Sequence, residues 1–518
     1  MGFVRAAMAA VPIMVFMAGD LAAQDVTLTS RDGSVEITGT LLGYDGEFYR
    51  VASEFGELTV DGTGVLCTGP GCPDLEAYVA ELVLSGSRTI GQNLIPPLVS
   101  AFAEQQGYSI ATESLEDGTV FVLAETTPER VVARIVVNIV DSSEGFADLI
   151  SADADISMSM RPVTAEEVVL GVEARRGRFS SPKQNKVLAL DALVPVVSPR
   201  NPVQSISPET LARVFSGEIT NWAELGGLDA PIDLVLPRGD TDALQIFQAR
   251  IMETEGREFA DGAQGYPTSK ELVQAVAGNP FAIGLALQSE LSGVKTLPLT
   301  GGCGFRSTAA PEALKSDDYP LTVPLYLYLR GGRLPAVGRE FVRFTDSPAA
   351  QITILRAGYV DQTISRTPIA RQGGRLANAI RAAGPEFGLD ELKRLVNTLE
   401  GARRLSVTFR FDDGSAGLNA QSRSNIALLA RALETGTIGG SELVFVGFSD
   451  GNGQADANLR LSLQRAASVR AAVVKEAATA DPDRVRLKVD GFGEEMPMAC
   501  DDSDWGRRIN RRVEVWLR

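Results

Sequence analysis

The chain has 518 residues, which is too long for one hydrophobic core; at roughly 150 residues per domain it predicts about three domains. Its formal net charge of −17 argues against binding to nucleic acid or to anionic membranes, because those partners attract basic surfaces. The chain contains no His, which excludes Ser-His-Asp and Cys-His nucleophile systems and imidazole zinc sites, so we expect a protein that is not an enzyme and has no cofactor or metal.

The first residues are typical of a secretory signal peptide. Arg5 gives a small positive region, residues 6–18 are apolar, and Leu21-Ala22-Ala23 supplies small residues for cleavage. The apolar stretch is shorter than the roughly 20 residues that a membrane-spanning helix needs, and no Cys follows it for a lipid anchor. We therefore predict a signal over residues 1–24 and export to the periplasm of a Gram-negative bacterium, in association with the cell wall or outer membrane. A buried N-terminal helix is the alternative.

Residues 25–76 alternate between short apolar strands and Gly-containing turns, which predicts a small all-β, barrel-like module. Cys67 and Cys72 flank a flexible turn containing Gly and Pro, so we predict a disulfide between them in an oxidising compartment. Cys303 and Cys500 either pair across domains or stay buried and free, because sequence alone does not fix connectivity.

Residues 77–365 alternate strands with helical patterns, which is the signature of an α/β fold with parallel strand pairing. The most apolar run is 187–197, which predicts a buried strand. The other expected elements are strands at 82–84 and 232–236, a helix at 94–106 and the opening of a helix at 211–215.

Several motifs lie along this central segment. They include Leu84-Ser85-Gly86-Ser87, Ser142-Ser143-Glu144-Gly145, Leu188-Ala189-Leu190-Asp191, Phe215-Ser216-Gly217-Glu218-Ile219-Thr220-Asn221-Trp222 and Tyr319-Pro320-Leu321-Thr322. In these motifs the segment resembles the phosphate-type substrate-binding proteins of ABC transporters, over about residues 80–360. The resemblance implies two α/β lobes that close on a small oxyanion such as phosphate, and an ABC transporter permease as a partner.

Hydroxyl-bearing loops are predicted to join a strand to a helix at three places in this segment. Backbone N–H groups and the dipole at helix starts favour anions, and Ser or Thr hydroxyls add donors. Two points weigh against this interpretation: Ser and Thr are also ordinary helix caps, and Asp240 carries a negative charge where the family has a small hydroxyl. The candidate anion-binding residues are Ser85, Gly86, Ser87, Ser142, Ser143 and Thr241, with Arg161 or Arg238 as the countercharge.

Residues 366–402 begin with a passage rich in Pro, Gly and Arg and continue with a helical pattern at 389–399, which predicts a linker and a helical spacer. Residues 403–518 show their own β-α-β-α-β-β order. The fold class is therefore multidomain, α/β and α+β. In the last domain the expected strands are 405–411, 443–448, 485–489 and 513–517, and the expected helices are 424–433 and 459–475.

This last segment carries a set of motifs in register. They are Val446-Gly447-Phe448-Ser449-Asp450-Gly451, Asn458-Leu459-Arg460-Leu461-Ser462, Arg465-Ala466, Gly491-Phe492-Gly493-Glu494 and Asn510-Arg511-Arg512-Val513-Glu514. In order and spacing they resemble the OmpA-like peptidoglycan-binding domain over nearly all of residues 403–518. The resemblance implies binding of the diaminopimelate end of the peptidoglycan stem peptide. One departure is Phe448-Ser449, where the family has His-Thr before the Asp.

Asp450 follows a predicted strand, and Arg465 lies on the next predicted helix. A carboxylate and a guanidinium that face one cleft suit a zwitterion, because each can pair with the opposite charge of the ligand. The alternative is a surface ion pair between the two residues, which contributes little energy. Asn458, Ser462 and Arg512 are the further candidates for this pocket, and Ser462 shares a helix face with Arg465.

These domains together predict a periplasmic binding protein that is tethered to the cell wall by its C-terminal domain, with no transmembrane segment in the mature chain. The alternative is a structural envelope scaffold whose binding-protein domain has lost its ligand and mediates protein–protein contacts. A hydrolase is disfavoured, since the chain has neither His nor a Gly-x-Ser-x-Gly elbow.

Overall fold

The computed structural model describes residues 25–127, 129–239, 241–382, 389–411, 417–439, 442–481 and 483–518. The chain divides into two compact units, residues 1–80 with 335–337, and residues 81–334 with 338–518. Among the residues described, no helix has both the length and the apolar content to cross a membrane. The predicted signal at residues 1–24 lies outside the described part of the chain.

The first unit is an antiparallel β-sheet, as its alternating sequence predicts. Its strands run in the order β4-β3-β2-β1-β5, so β4 and β5 lie at opposite edges. Val26, Leu28 and Val51 form its small core. Cys67 and Cys72 form the expected disulfide, with Cα atoms 5.8 Å apart. The strands are β1 (Asp25–Ser30), β2 (Glu36–Tyr44), β3 (Phe48–Ser53), β4 (Gly56–Asp61) and β5 (Val65–Thr68).

The central part of the chain alternates strands and helices. The first elements are β6 (Ala80–Ser87), α1 (Ile95–Gln106), β7 (Ser109–Leu115), β8 (Gly118–Thr126), β9 (Glu129–Val140), α2 (Ser142–Ser151), β10 (Ile156–Ser159), α3 (Ala165–Glu173) and β11 (Asn185–Val197). They are followed by α4 (Pro208–Phe215), β12 (Asp233–Pro237), α5 (Asp242–Phe247), β13 (Gln264–Tyr266), α6 (Ser269–Gly278), β14 (Ala282–Leu287), β15 (Lys295–Thr296), β16 (Leu299–Thr300), β17 (Arg306–Ser307), α7 (Pro311–Lys315), β18 (Thr322–Leu329), α8 (Ala336–Phe344) and α9 (Pro348–Arg356).

Strand β11 joins the two lobes of this domain. Its residues 185–192 pair with β18, and its residues 193–197 pair with β14. On one side the sheet continues from β18 through β10, β6, β9 and β8 to β7; on the other it continues from β14 through β12 to β13. The strand is buried from Val187 onward, which explains its unbroken apolar sequence and confirms the two-lobed α/β prediction.

One helix boundary differs from the expectation. Residues 211–215, which were expected to open a helix, instead form the end of α4. The helix begins at Pro208 because the Ser207 side chain caps it by accepting a hydrogen bond from the Thr210 N–H.

The C-terminal part of the chain is a helix-covered sheet. Its strands run in the order β19-β20-β23-β21-β22; β21 and β22 are parallel, and the other pairs are antiparallel. The predicted β-α-β-α-β-β order is present, with a short added helix before the last strand. The elements are β19 (Arg366–Pro368), α10 (Gly373–Ala382), α11 (Leu389–Leu399), β20 (Arg403–Arg410), α12 (Ala420–Glu434), β21 (Glu442–Phe448), α13 (Ala455–Glu476), β22 (Arg486–Gly491), α14 (Asp504–Asn510) and β23 (Arg512–Leu517).

The passage 366–402, expected to be a linker and a spacer, is integrated into this domain. Strand β19 pairs with β20, and the helices α10 and α11 pack on one face of the sheet. Successive residues of β21 alternate between the faces: Val444 lies in the cluster with α10 and α11, and Phe445 lies in the cluster with α12 and α13. Both faces of β21 are therefore covered, which explains why its sequence is apolar from Leu443 onward.

The central and C-terminal parts of the second unit are joined covalently and by buried charges. Cys303 and Cys500 form a disulfide, with Cα atoms 5.6 Å apart, which settles the pairing that the sequence left open. Asp318 accepts hydrogen bonds from Arg404 (2.7 Å) and Arg410 (2.8 Å). Burial alone would raise the pKa of Asp318, but the two guanidinium groups hold it below its ordinary value.

Candidate functional site

The loop after β21 holds the Asp450 carboxylate in a defined position. Ser449 N–H donates to Gly493 O (2.8 Å), and Gly451 N–H donates to Asp501 Oδ2 (2.8 Å), so the loop is fixed on both sides of the Asp. Asp450 is itself nearly buried, and its Oδ2 accepts a hydrogen bond from Arg511 Nη1 at 2.8 Å. The charge of this carboxylate is therefore balanced by Arg511.

Arg465 brings a second cation to the same region. Its guanidinium carbon lies 5.2 Å from the centre of the Phe411 ring, and its Nη1 atom is buried with no hydrogen-bond partner among the described residues. Burial and the nearby Arg511 lower the pKa of Arg465, and the Asp450 charge opposes that shift. The Ser449 hydroxyl is also buried without a partner in this part of the structure. Unpartnered buried donors are uncommon in proteins, and here two of them lie close to one carboxylate.

The other predicted pocket residues have structural contacts. Asn458 Nδ2 donates to Glu494 Oε2 (2.8 Å). Ser462 Oγ donates to Leu459 O (2.8 Å) and accepts from Gly493 N–H (3.0 Å), which ties α13 to the loop after β22. Ser462 therefore supports the loops around the site, and its single hydroxyl proton is already used.

The prediction for Arg512 is wrong, because this residue belongs to the core. Its side chain is fully buried; Nε donates to Glu514 Oε1 (2.7 Å), and the guanidinium lies 4.2 Å from the Phe448 ring centre. Its neighbour Arg511 reaches Asp450 instead. The Arg-Arg pair in the motif indicates that one of the two faces the site. Arg512 is the first residue of β23 and is buried, whereas Arg511 lies between α14 and β23 and reaches Asp450.

In the central domain, carboxylates take the N–H groups at the start of α2. Asp141 caps the helix, and its Oδ1 accepts from Ser143 N–H and Glu144 N–H, both at 2.8 Å. Ser142 N–H donates to Oδ1 of Asp242 at 3.2 Å. Ser142 Oγ accepts from Met160 N–H, so this hydroxyl helps to hold the loop after β10.

Arg161 lies beside this helix start and is also engaged. Its Nη2 donates to Glu167 Oε1 (2.7 Å) and to Ser143 Oγ (3.0 Å), and its Nη1 donates to Glu167 Oε2 (3.0 Å). Burial alone would lower the pKa of Arg161, but Glu167 outweighs it, so the net shift is upward. Of the candidate anion-binding residues, Ser143 and Arg161 therefore lie together, hydrogen-bonded to each other.

The Ser85-Gly86-Ser87 motif forms the end of strand β6 rather than a loop. Ser85 Oγ donates to Asp148 Oδ2 at 2.5 Å, so this hydroxyl is used internally. Gly86 has φ +133°, and a Cβ there would lie 2.1 Å from Met158 O, so only glycine allows this contact with β10. Ser87 Oγ is fully buried and has no partner among the described residues.

The remaining candidate residues, Thr241 and Arg238, contact different parts of the domain. Thr241 caps α5 by accepting from Leu244 N–H at 3.4 Å, which is the ordinary capping role. Arg238 Nη2 donates to Gly265 O at 3.1 Å next to β13, a contact that uses part of its guanidinium. Asp240 lies outside the described residues. The residue that reaches α2 is Asp242, which the sequence reasoning did not select, because its contact joins positions far apart in the chain.

Two family models match the chain. Residues 99–348 match a PBP superfamily domain, and residues 410–511 match the OmpA family. The phosphate-binding protein PstS of Bacillus subtilis is 27% identical over 283 residues, which cover 54% of this chain and 82% of that protein. The probable lipoprotein YiaD of Escherichia coli is 32% identical over 107 residues, which cover 21% of this chain and 46% of that protein.

A solved structure, an ABC-type phosphate transport receptor from Vibrio cholerae, aligns with a TM-score of 0.42 and 21% identity, covering 54% of this chain and 99% of the receptor. The family matches agree with the two-lobed sheet and with the C-terminal β-α-β-α-β-β order described above. The chain therefore joins a periplasmic-binding-protein-like domain to an OmpA domain.

Proposed function

We propose that this protein is a non-enzymatic envelope protein that binds peptidoglycan through its OmpA domain and a small oxyanion, phosphate, through its central domain. The observation that carries the first half is the buried Nη1 of Arg465, which has no partner among the described residues and lies in the field of Asp450. A buried donor without a partner costs free energy, and a ligand carboxylate would satisfy it.

The charges of the pocket favour a zwitterionic ligand. A ligand ammonium would pair with Asp450 and a ligand carboxylate with Arg465, in charge-assisted hydrogen bonds. The amino acid end of diaminopimelate in the peptidoglycan stem peptide carries both groups on one carbon. Binding of that group by this domain, together with the predicted signal at residues 1–24, would hold the protein at the cell wall in the periplasm of a Gram-negative bacterium.

The phosphate half rests on the central domain. A relative of this part is a phosphate-binding protein, and Ser87 Oγ is a buried hydroxyl without a partner next to Gly86, which packs on α2. The start of α2 and Arg161 supply the positive end of a helix and a guanidinium. In a transporter setting, an ABC permease would be the partner that receives the anion.

Peptidoglycan binding is tested by co-sedimentation of the purified chain with isolated peptidoglycan. We expect Asp450→Ala to lower the affinity by about tenfold or more, because it removes a charge-assisted contact. Asp456→Ala removes an exposed carboxylate from the first turn of α13 and serves as the matched control. Equal sedimentation of both variants with the unmodified chain would reject this pocket.

Phosphate binding is tested by calorimetric titration of the same chain, with sulfate as the comparison anion. Heat with phosphate and none with sulfate supports the proposal. Absence of heat with both anions would leave peptidoglycan attachment as the remaining proposed activity.

A further inference from the structure

The start of α2 carries a carboxylate from the other lobe of the domain. Ser142 follows β9 in one lobe, and Asp242 opens α5, which follows β12 in the other lobe. Ser142 is fully buried, and its N–H donates to Oδ1 of Asp242 at 3.2 Å. A carboxylate oxygen here has the charge and the hydrogen-bonding role that an oxygen of a bound oxyanion would have.

The start of α2 lies against strand β6, close to a buried hydroxyl. No side chain separates α2 from β6, since a Cβ on Gly145 would lie 2.6 Å from Gly86 Cα. Ser87 follows Gly86 directly, and its buried hydroxyl has no partner among the described residues. The Asp242 charge also acts on Arg161. The Asp242 carboxylate is therefore already an acceptor at the start of α2, while the hydroxyl of Ser87 has no partner among the described residues.

We propose that Asp242 is an internal competitor of the oxyanion: its carboxylate holds the place of one ligand oxygen at the start of α2 and links the two lobes, and a bound anion displaces it. This inference rests on the proposed anion-binding function. Asp242 then sets the affinity of the site, because any anion must break the bond to Ser142 and enter next to a negative charge unless the carboxylate moves away. It also disfavours doubly charged ligands relative to singly charged ones.

The experiment is calorimetric titration of inorganic phosphate into the full chain and into Asp242→Asn and Asp242→Ala. We expect both variants to bind phosphate about tenfold tighter or more, because a carboxylate at hydrogen-bond distance repels the anion. Glu253→Gln is the matched control; it removes one exposed negative charge just beyond α5 and should bind like the unmodified chain. Amide hydrogen exchange at residues 141–146 should rise in Asp242→Ala, which loses the bond to Ser142.

The outcomes separate this inference from the proposed function. If the unmodified chain binds phosphate and both Asp242 variants bind with equal or lower affinity, Asp242 is not a competitor, and phosphate binding stands. If only the variants bind, the competitor role is supported, and the native chain is not a phosphate receptor. If no protein binds phosphate, both proposals are rejected. Unchanged exchange at residues 141–146 in Asp242→Ala would also reject the inference, since the cross-lobe bond would then be absent in solution.

Discussion

The two candidate sites of this protein differ in whether their hydrogen-bond donors already have partners within the protein. In the OmpA domain, Arg465 Nη1 is buried without a partner in the described part of the chain, and Asp450 nearby is paired with Arg511. In the central domain, the N–H groups at the start of α2 are taken by Asp141 and Asp242, and Arg161 is paired with Glu167. In the proposed binding modes, a ligand carboxylate would meet a donor of Arg465 that has no partner among the described residues, whereas an anion in the central domain would first displace Asp242 from Ser142. The expected residue types alone therefore do not define a binding site. Their hydrogen-bond partners determine whether they are available to a ligand.

The largest effect on stability should come from removing the disulfide that joins the central domain to the OmpA domain. The double variant Cys303→Ser/Cys500→Ser opens a loop with a sequence separation of 197, for which chain entropy alone gives a stability loss of up to about 5 kcal/mol. Asp501, the residue after Cys500, accepts from Gly451 N–H beside Asp450. We therefore expect weaker peptidoglycan binding but unchanged phosphate affinity, measured by co-sedimentation and calorimetry.

The local disulfide provides the control for that experiment. Cys67→Ser/Cys72→Ser removes a bond with a sequence separation of 5 in the first unit and should leave both binding activities intact. A parallel loss of phosphate affinity in the Cys303/Cys500 variant would show that the two sites are not independent.

The next largest effect is expected at Arg465, whose Nη1 has no hydrogen-bond partner among the described residues. Arg465→Ala should weaken peptidoglycan binding by about 2 kcal/mol, or roughly thirtyfold, because a charge-assisted contact is lost. The unfolding midpoint should not fall, since the substitution also removes a buried unpartnered group. Arg465→Lys should recover only part of the binding, because an ammonium cannot make a bidentate contact with a carboxylate. Arg460→Ala, an exposed arginine on the same helix, is the control; equal losses in both would indicate a general charge effect.

A smaller effect is expected at Ser87, whose buried hydroxyl has no partner among the described residues. Ser87→Ala should raise stability by about 1 kcal/mol, because a buried hydroxyl without a partner costs free energy, and it should lower phosphate affinity several-fold. Ser85→Ala is the matched comparison, since Ser85 Oγ donates to Asp148 and its loss should destabilise the domain. Urea unfolding and calorimetry distinguish the two; a Ser87 variant with unchanged phosphate affinity would place the anion elsewhere.

The smallest change in peptidoglycan affinity is expected when Asp450 loses its ion pair with Arg511. Arg511 and the ligand ammonium compete for the same carboxylate, so Arg511→Ala should leave peptidoglycan affinity equal or raise it by about two- to fivefold. Co-sedimentation at several protein concentrations measures the change. A loss as large as that of Arg465→Ala would show instead that Arg511 contacts the ligand or fixes the Asp450 loop.

Local sequence pattern predicted much of the fold. The apolar run of β11 and the alternating strands of the first unit gave the right elements, because hydrophobic periodicity reflects which faces are buried. In the passage 366–402 the helical pattern at 389–399 matches α11, whereas residues 366–375 were expected to be a linker because their sequence is rich in Pro, Gly and Arg. Its packing on β21 and β23 depends on apolar residues of a sheet that lies further along the chain.

The sequence by itself determined which residue types lie on particular elements, including Asp450 just after β21 and Arg465 in the middle of α13. Only the tertiary structure decided which partner each of them has. The turn between α14 and β23 brought Arg511 to Asp450 while Arg512, the first residue of β23, was buried, and the approach of the two lobes placed Asp242 on Ser142 across a sequence separation of 100. The physical reason is that hydrogen bonds and charge pairs depend on distances of a few ångströms between remote segments, and local sequence fixes conformation but not those distances.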